Sequence, residues 1–428
     1  MSATRQFLED LFRVAVAAAH PASCLPPHLP APPAGRVIIL AAGKAAGSMT
    51  EVAETHYLDA ARLAPDQLAG IAVTRRGYAR PTRVIPVIEA GHPVPDEAGL
   101  TATNQVLTLA TSATPDDLLL VLMSGGASAN WIAPADGLTF AEKRAVTRAL
   151  LRCGASIGEI NTVRKHLSRI KGGRLAARAH PARLVTLAIS DVPGDAPAVI
   201  GSGPTVPDPS TLAQAQEIVA RYRLDLPAAV MRALADPANE TPKPDDPVFA
   251  TTAFRLIARP ADAFHAAEQA VRAAGYECVV LGDRLEGEAR KVAAAHARIA
   301  CDLQDAGRRA AILSGGELTV TIRGTGRGGP NQEYALAFAL ALKGRPGIAA
   351  LAADTDGTDG GGGSPDDPAG AYVEPTTWRR AGDFGLDPAA FLANNDSTGF
   401  FARLGDLVAP GPTFTNVNDF RAILVDRP

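Results

Sequence analysis

Asp117 to Met123 constrains the fold more than any other stretch. After the aspartate it is continuously apolar (LLLVLM), and it stops at Ser124-Gly125-Gly126-Ala127-Ser128. A short unbroken apolar run has no polar face to offer water, so it predicts a central strand of a parallel sheet, covered on both sides. The same arrangement returns at Ala310–Leu313, followed by Ser314-Gly315-Gly316. Similar strands are expected at residues 36–40, 68–73, 84–88 and 184–189, and again at 254–257, 277–281, 348–352 and 422–425. Helical segments separate them, among them 261–274 and 286–306. This alternation predicts an α/β protein, and 428 residues suffice for two or three domains. The proline- and acid-rich segment 236–248 (DPANETPKPDDPV) is the best linker, giving domains 1–240 and 241–428. The last strand is left open between the second domain and a return to the first. Residues 4–20 predict an amphipathic helix with Phe7, Leu8, Leu11, Phe12 and Ala15 inward.

Composition narrows the partners. A net charge of −3 and a pI near 6.3 give no bulk electrostatic reason to bind nucleic acid. Val14–Ala19 is too short for a membrane span or a signal core, and acids precede it. Four widely spaced cysteines, without CxxC or His partners, point to reduced thiols in the cytoplasm. The oligomeric state is open, a homodimer included.

Several stretches carry candidate chemistry. Ala41–Ser48 turns a strand into a helix through Gly43 and Lys44, without the spacing of a P-loop or a full GxGxxG. Lys44 at that corner can neutralise a phosphate or carboxylate. The two Ser-Gly-Gly corners can approach phosphate oxygens too closely for a side chain to fit. In the second half, Leu318–Ile322 predicts a half-buried strand and Gly324–Gly329 a loop around Arg327. Asn331 is the expected N-cap of the next helix, leaving backbone N–H groups open to an anion. Arg164, Lys165, Arg169, Lys171 and Arg174 place five cations in eleven residues with no acid between. On one helix, Arg164, Lys165 and Ser168 would share a face with Lys171. His92 sits in a proline-stiffened loop, and Asp191 lies just past an expected strand, where open α/β sheets place chemistry. The run from Asp354 to Gly363 is rich in aspartate and glycine. It lacks the downstream glutamate and flanking helices of an EF-hand, so magnesium or substrate-facing acids suit it better than calcium.

Taken together these motifs resemble the glycerate 2-kinase (class II glycerate kinase) family, whose C-terminal part is the MOFRL domain. The matching pieces are AAGKAAGSM, GHPVPD, SGGAS, VRKHLSRIKGGRLA, SDVPGD and SGPTVPDPST, then LSGGELTVTIRGTGRGGPNQE, DTDGTDG and GPTFTNVND, in the family's order. The resemblance implies a Rossmann-like N-terminal domain and a MOFRL-type α/β domain facing across a cleft that holds the active site. It also implies ATP with Mg2+, and phosphorylation of D-glycerate at its 2-hydroxyl, giving 2-phosphoglycerate. Lys44 and Arg327 take the place of the family's lysine and arginine. The sequence departs from the commonest pattern at Pro330, where an arginine often stands, and at Pro410, where a threonine often stands.

Within that family frame, Ser124, Gly125, Gly126 and Ser128, with Ser314, Gly315, Gly316 and Gly326, are expected to hold the nucleotide. Lys44 and Arg327 would stabilise charge on the transferred phosphoryl group. Asp191, Glu317 or Asp354 would hold Mg2+, with Asp191 also the base for the hydroxyl. Arg164, Lys165 or Lys171 would grip the glycerate carboxylate. Two rivals remain. An NAD(P)H-dependent hydroxypyruvate reductase is weakened by the missing GxGxxG and ribose-binding acid. A non-catalytic nucleotide-binding protein would release no ADP with glycerate.

Overall fold

The structure is a computed structural model describing residues 2–360 and 364–427; the glycines at 361–363 lie outside the described residues. The chain forms two compact units, Leu25–Ile257 and Met1–Cys24 joined with Ala258–Pro428.

The first unit holds strands β1 (Val37–Ala42), β2 (Leu68–Arg75), β3 (Val87–Ala90), β4 (Leu118–Met123), β5 (Arg183–Ile189) and β6 (Thr252–Ala258), in the order β3-β2-β1-β4-β5-β6. From β3 to β5 the neighbours are parallel, with Val37 beside Leu68 on one side and Leu118 on the other. Every residue of β1 and β4 is buried, as unbroken apolar runs require. The chain winds outward from β1 in both directions, so the strand order reverses between β1 and β4.

The second unit holds β7 (Glu277–Glu288), β8 (Ala310–Thr319), β9 (Ile348–Asp354), β10 (Gly370–Val373), β11 (Leu407–Val408) and β12 (Asp419–Val425), in the order β11-β10-β9-β12-β8-β7. β12 runs antiparallel between β8 and β9, so the last strand lies inside this sheet. The amphipathic helix forms over Ala3–Ala19 and packs in this unit, burying Leu8, Leu11, Phe12 and Ala15; Phe7 stacks on Tyr276. No helix among the described residues is long and apolar enough to cross a membrane.

Two expectations about organisation are corrected. Strand 254–257 does not open the second unit; as β6 it is the edge of the first sheet. Segment 236–248 is not a free linker either. Glu240 accepts hydrogen bonds from the Leu212 amide and from His166, and Thr241 donates to the buried Asp208. Composition suggested exposure, but its polar groups are spent on capping and pairing within the first unit. The break therefore falls at 257/258 rather than 240/241.

Candidate functional site

The reversal point of the first sheet is built by two corners. β1 ends at Gly43, whose φ of +116° is open to glycine and strained for other residues. The Lys44 amide donates to the Gly125 carbonyl at 2.8 Å, and the Ala45 amide to Ser124 Oγ at 2.9 Å. Ser124 is buried and acts as a brace between the corners, not as an open hydroxyl. Gly126, at φ +87°, fits between two side chains. A methyl there would lie 3.0 Å from the His92 ring and 3.5 Å from Lys44 Cγ. The loops after β1, β3 and β4 thus bring Lys44, His92 and Gly126 together at the carboxyl ends of the strands. Asp191, half-buried, follows β5. Open parallel sheets leave a crevice for ligands at such a point.

Cations gather on Ser128, in the short helix Ala127–Asn130. Arg164 Nη2 donates to Ser128 Oγ at 2.9 Å, and Lys171 Nζ donates to Ser128 Oγ at 2.9 Å and to its carbonyl at 2.7 Å. Ser202 Oγ lies 2.9 Å from the same hydroxyl. Lys171 is fully buried, and desolvation, followed by the charges of Arg164, Lys143 and Lys165, holds its pKa well below the lysine range. Burial also lowers the pKa of Arg164. Such desolvated positive charge is costly without an anion nearby.

The expected single basic helix does not form. It ends at His166, where buried Lys143 donates to the carbonyls of Arg164 and Leu167, and a second short helix starts at Arg174. Arg164 and Lys171 meet through the intervening bend, not through helical spacing. Lys165 turns elsewhere: its ammonium pairs with buried Asp208 at 3.2 Å. Sequence reasoning missed Ser202 and Lys143. Ser202 had a signal in its setting, Gly201-Ser202-Gly203, where three successive residues have positive φ. Lys143 had none, since an amphipathic helix carries many lysines.

In the second unit the other expected corner has a different setting. Ser314, Gly315 and Gly316 do not end a strand. They lie within β8, opposite Arg421, Phe420 and Asp419 of β12, with Ser314 and Gly316 opposite Gly282 and Leu285 of β7. The ladder to β12 is regular here, while the register to β7 shifts on either side of Gly282. The glycines answer to packing: a side chain at Gly315 would strike the Phe264 ring at 2.7 Å, and one at Gly316, φ +111°, would strike the Leu285 carbonyl. β8 ends at Thr319, so the strand expected through Ile322 stops short.

The loop around Arg327 is likewise closed. The amides of Arg323 and Gly324 donate to Asn395 Oδ1, that of Thr325 to Asn394 Oδ1, that of Gly326 to the Asn394 carbonyl, and that of Arg327 to Asp396 Oδ1. Gly326 is therefore held by the chain itself, while the Arg327 side chain is exposed. The helix starts at Pro330 after a Gly329 N-cap, a position where proline's missing N–H costs nothing. Asn331 is its second residue and not the cap. The anion at this N-terminus belongs to the protein: Asp359 accepts from the amides of Asn331 and Gln332 at 3.0 and 2.9 Å. Burial, opposed by those amides, pushes the Asp359 pKa up to about 7. Asn331 Nδ2 also donates to Asp419 at 2.6 Å.

The metal candidates are dispersed. Asp354 Oδ1 accepts from the Asp356 amide, and Asp356 Oδ1 from Thr358, so these aspartates form successive turns. Glu317 is exposed on β8 opposite Glu286. Among the described residues, no group of three or more His, Cys, Asp or Glu side chains is placed to hold a metal ion.

Residues 7–235 match the family described as Domain of unknown function (DUF4147), and residues 310–419 match the MOFRL family. The chain is 38% identical to a D-glycerate 2-kinase from Thermotoga maritima over 96% of this chain and 95% of that protein. The chain belongs to the glycerate 2-kinase family. Its fold agrees: it superposes on the crystal structure of a glycerate kinase from Thermotoga maritima with a TM-score of 0.86 at 36% identity, covering 99% of each chain. A relative from Agrobacterium vitis, 48% identical over 98% of this chain and 94% of its own, carries the name "Putative hydroxypyruvate reductase".

Proposed function

We propose that this protein is an ATP-dependent glycerate 2-kinase, transferring a phosphoryl group to the 2-hydroxyl of D-glycerate and releasing ADP. The observation that carries this reading is the pair of desolvated cations, Arg164 and Lys171, on Ser128 beside the Lys44 corner. They supply positive charge beside the strands' carboxyl ends, where an anionic substrate can lie, and relatives of this chain are named D-glycerate 2-kinase and glycerate kinase. Phosphoryl transfer asks for positioning and charge neutralisation more than covalent chemistry.

In this scheme Arg164 and Lys171 hold the glycerate carboxylate, and Ser128 and Ser202 orient them. Lys165 drops out of that role because Asp208 neutralises it. Lys44 stabilises charge on the transferred group, and Asp191 takes the proton of the 2-hydroxyl. Asp191 is also the oxygen donor suited to Mg2+, which takes only one or two protein carboxylates when phosphates supply the rest. Bound Mg2+ would neutralise phosphate charge. Arg327, exposed on its loop, is retained as a second catalytic cation. All four cysteines are unpaired, which supports a reducing, cytoplasmic setting.

A coupled ADP assay with D-glycerate, with the product's regiochemistry read by phosphorus NMR, tests the reading. Glycerate-dependent ADP release with phosphate on C2 is expected. NADH consumption with hydroxypyruvate, in place of ADP release, would overturn it.

A further inference from the structure

The first unit contains a cavity of about 380 Å3 that the proposed roles touch only at Arg164. Its apolar wall comes from Val94 and Pro95 in the loop after β3, Ile132, Leu151 of the helix Phe140–Arg152, and Ile157 and Ile160 of the helix Ile157–His166. Val94, Leu151 and Ile157 are 57%, 62% and 67% exposed, large apolar groups left bare to water along one slot. Its charge is one-sided. Lys143, Arg144, Arg148 and Arg164 line it, and among the described residues lining it there is no carboxylate.

Arg164 is continuous with the candidate site, since its guanidinium also holds Ser128. The slot therefore opens beside the proposed carboxylate site, and its own exposed cations are Arg144 and Arg148. That combination suits a ligand with a flat apolar body and a polyanionic tail. In the second unit the amides of residues 323–327 are already taken by Asn394, Asn395 and Asp396.

We propose that this slot receives the adenine base of the nucleotide, with Val94, Leu151 and Ile157 packing on its ring. The assignment rests on the phosphotransferase reading. It deepens that reading by naming the residues that select the donor.

The test uses the full-length protein and the exposed-rim variants Leu151→Asp and Ile157→Asp. ADP affinity is read by calorimetry, and KM is read separately for ATP and glycerate. The expected result is an increase of about tenfold or more in the ADP dissociation constant and the ATP KM, with glycerate KM and melting temperature unchanged. Photolabelling with 8-azido-ADP should mark peptides containing residues 93–95 or 144–160. Wild-type-like ADP affinity in both variants overturns the slot. That includes the case where light scattering shows the variants changing oligomeric state, which would make this face a contact between copies. The two readings fail separately. Label in the slot without glycerate-dependent ADP release sinks the kinase and keeps the slot; glycerate phosphorylation with unaltered ADP binding in the variants does the reverse.

Discussion

Ser124-Gly125-Gly126 and Ser314-Gly315-Gly316 look alike in sequence and do opposite things. The first follows a buried parallel strand at the point where the strand order reverses, and its Gly126 makes room for Lys44 and His92. The second is threaded through β8, and its glycines make room for Phe264 and the Leu285 carbonyl. One is a strand-end corner; the other is a close-packed ladder. The wider surroundings follow suit. In the first unit cations crowd a serine, whereas in the second Asn394, Asn395 and Asp396 fill the glycine loop, and Asp359 fills the helix N-terminus. The lesson is that a glycine-rich run marks close approach, and only the neighbours say whether a ligand or the protein itself approaches.

The contrast can be broken most sharply at Lys44. Lys44→Ala should lower turnover about a hundredfold to a thousandfold with an unchanged melting curve, as loss of one preorganised charge does. Near-normal ADP release would remove the first corner from the chemistry. Gly316→Ala should act on stability instead, costing about 3 kcal/mol in urea unfolding, because the methyl meets a strand carbonyl at a φ of +111°. A stable Gly316→Ala protein with impaired nucleotide affinity would mean the two corners are alike after all.

Ser128→Ala should have a smaller effect, raising glycerate KM about tenfold by removing the hydroxyl that Arg164 and Lys171 share. An unchanged glycerate KM would move the carboxylate site elsewhere.

The smallest expected effect is a pH slope from the second unit. Asp359 titrates near 7 in the folded chain against a reference value of 3.8, so the folded state holds the extra proton between them. Its stabilisation is complete below about pH 3.8 and is lost as pH rises through about 7. His296 works in the other direction. Burial, aided by the Arg421 charge, draws its pKa down to about 4, so its contribution is lost as pH falls from 6.5. Asp359→Asn should flatten the decline in melting temperature that this carboxyl causes between about pH 4 and 7, while leaving the opposite contribution of His296. A variant that keeps the wild-type decline over that range would exclude Asp359 as its source.

The sequence by itself determined the α/β alternation, the core strands of the first sheet and the corner at Lys44. Each rests on a local cause: an apolar run that must be covered, then glycines where the backbone turns. It also located the cation-rich segment, though not its shape. Tertiary structure alone decided that β12 sits inside the second sheet and that 236–248 belongs to the first unit. It decided, too, that Lys165 is consumed by Asp208 while Arg164 and Lys171 converge on Ser128. Those outcomes depend on partners distant in sequence: Ser128 and Lys171 are 43 residues apart, and Arg323 and Asn395 are 72. A residue's type declares what it can bond; only the folded chain declares which bonds it has already made.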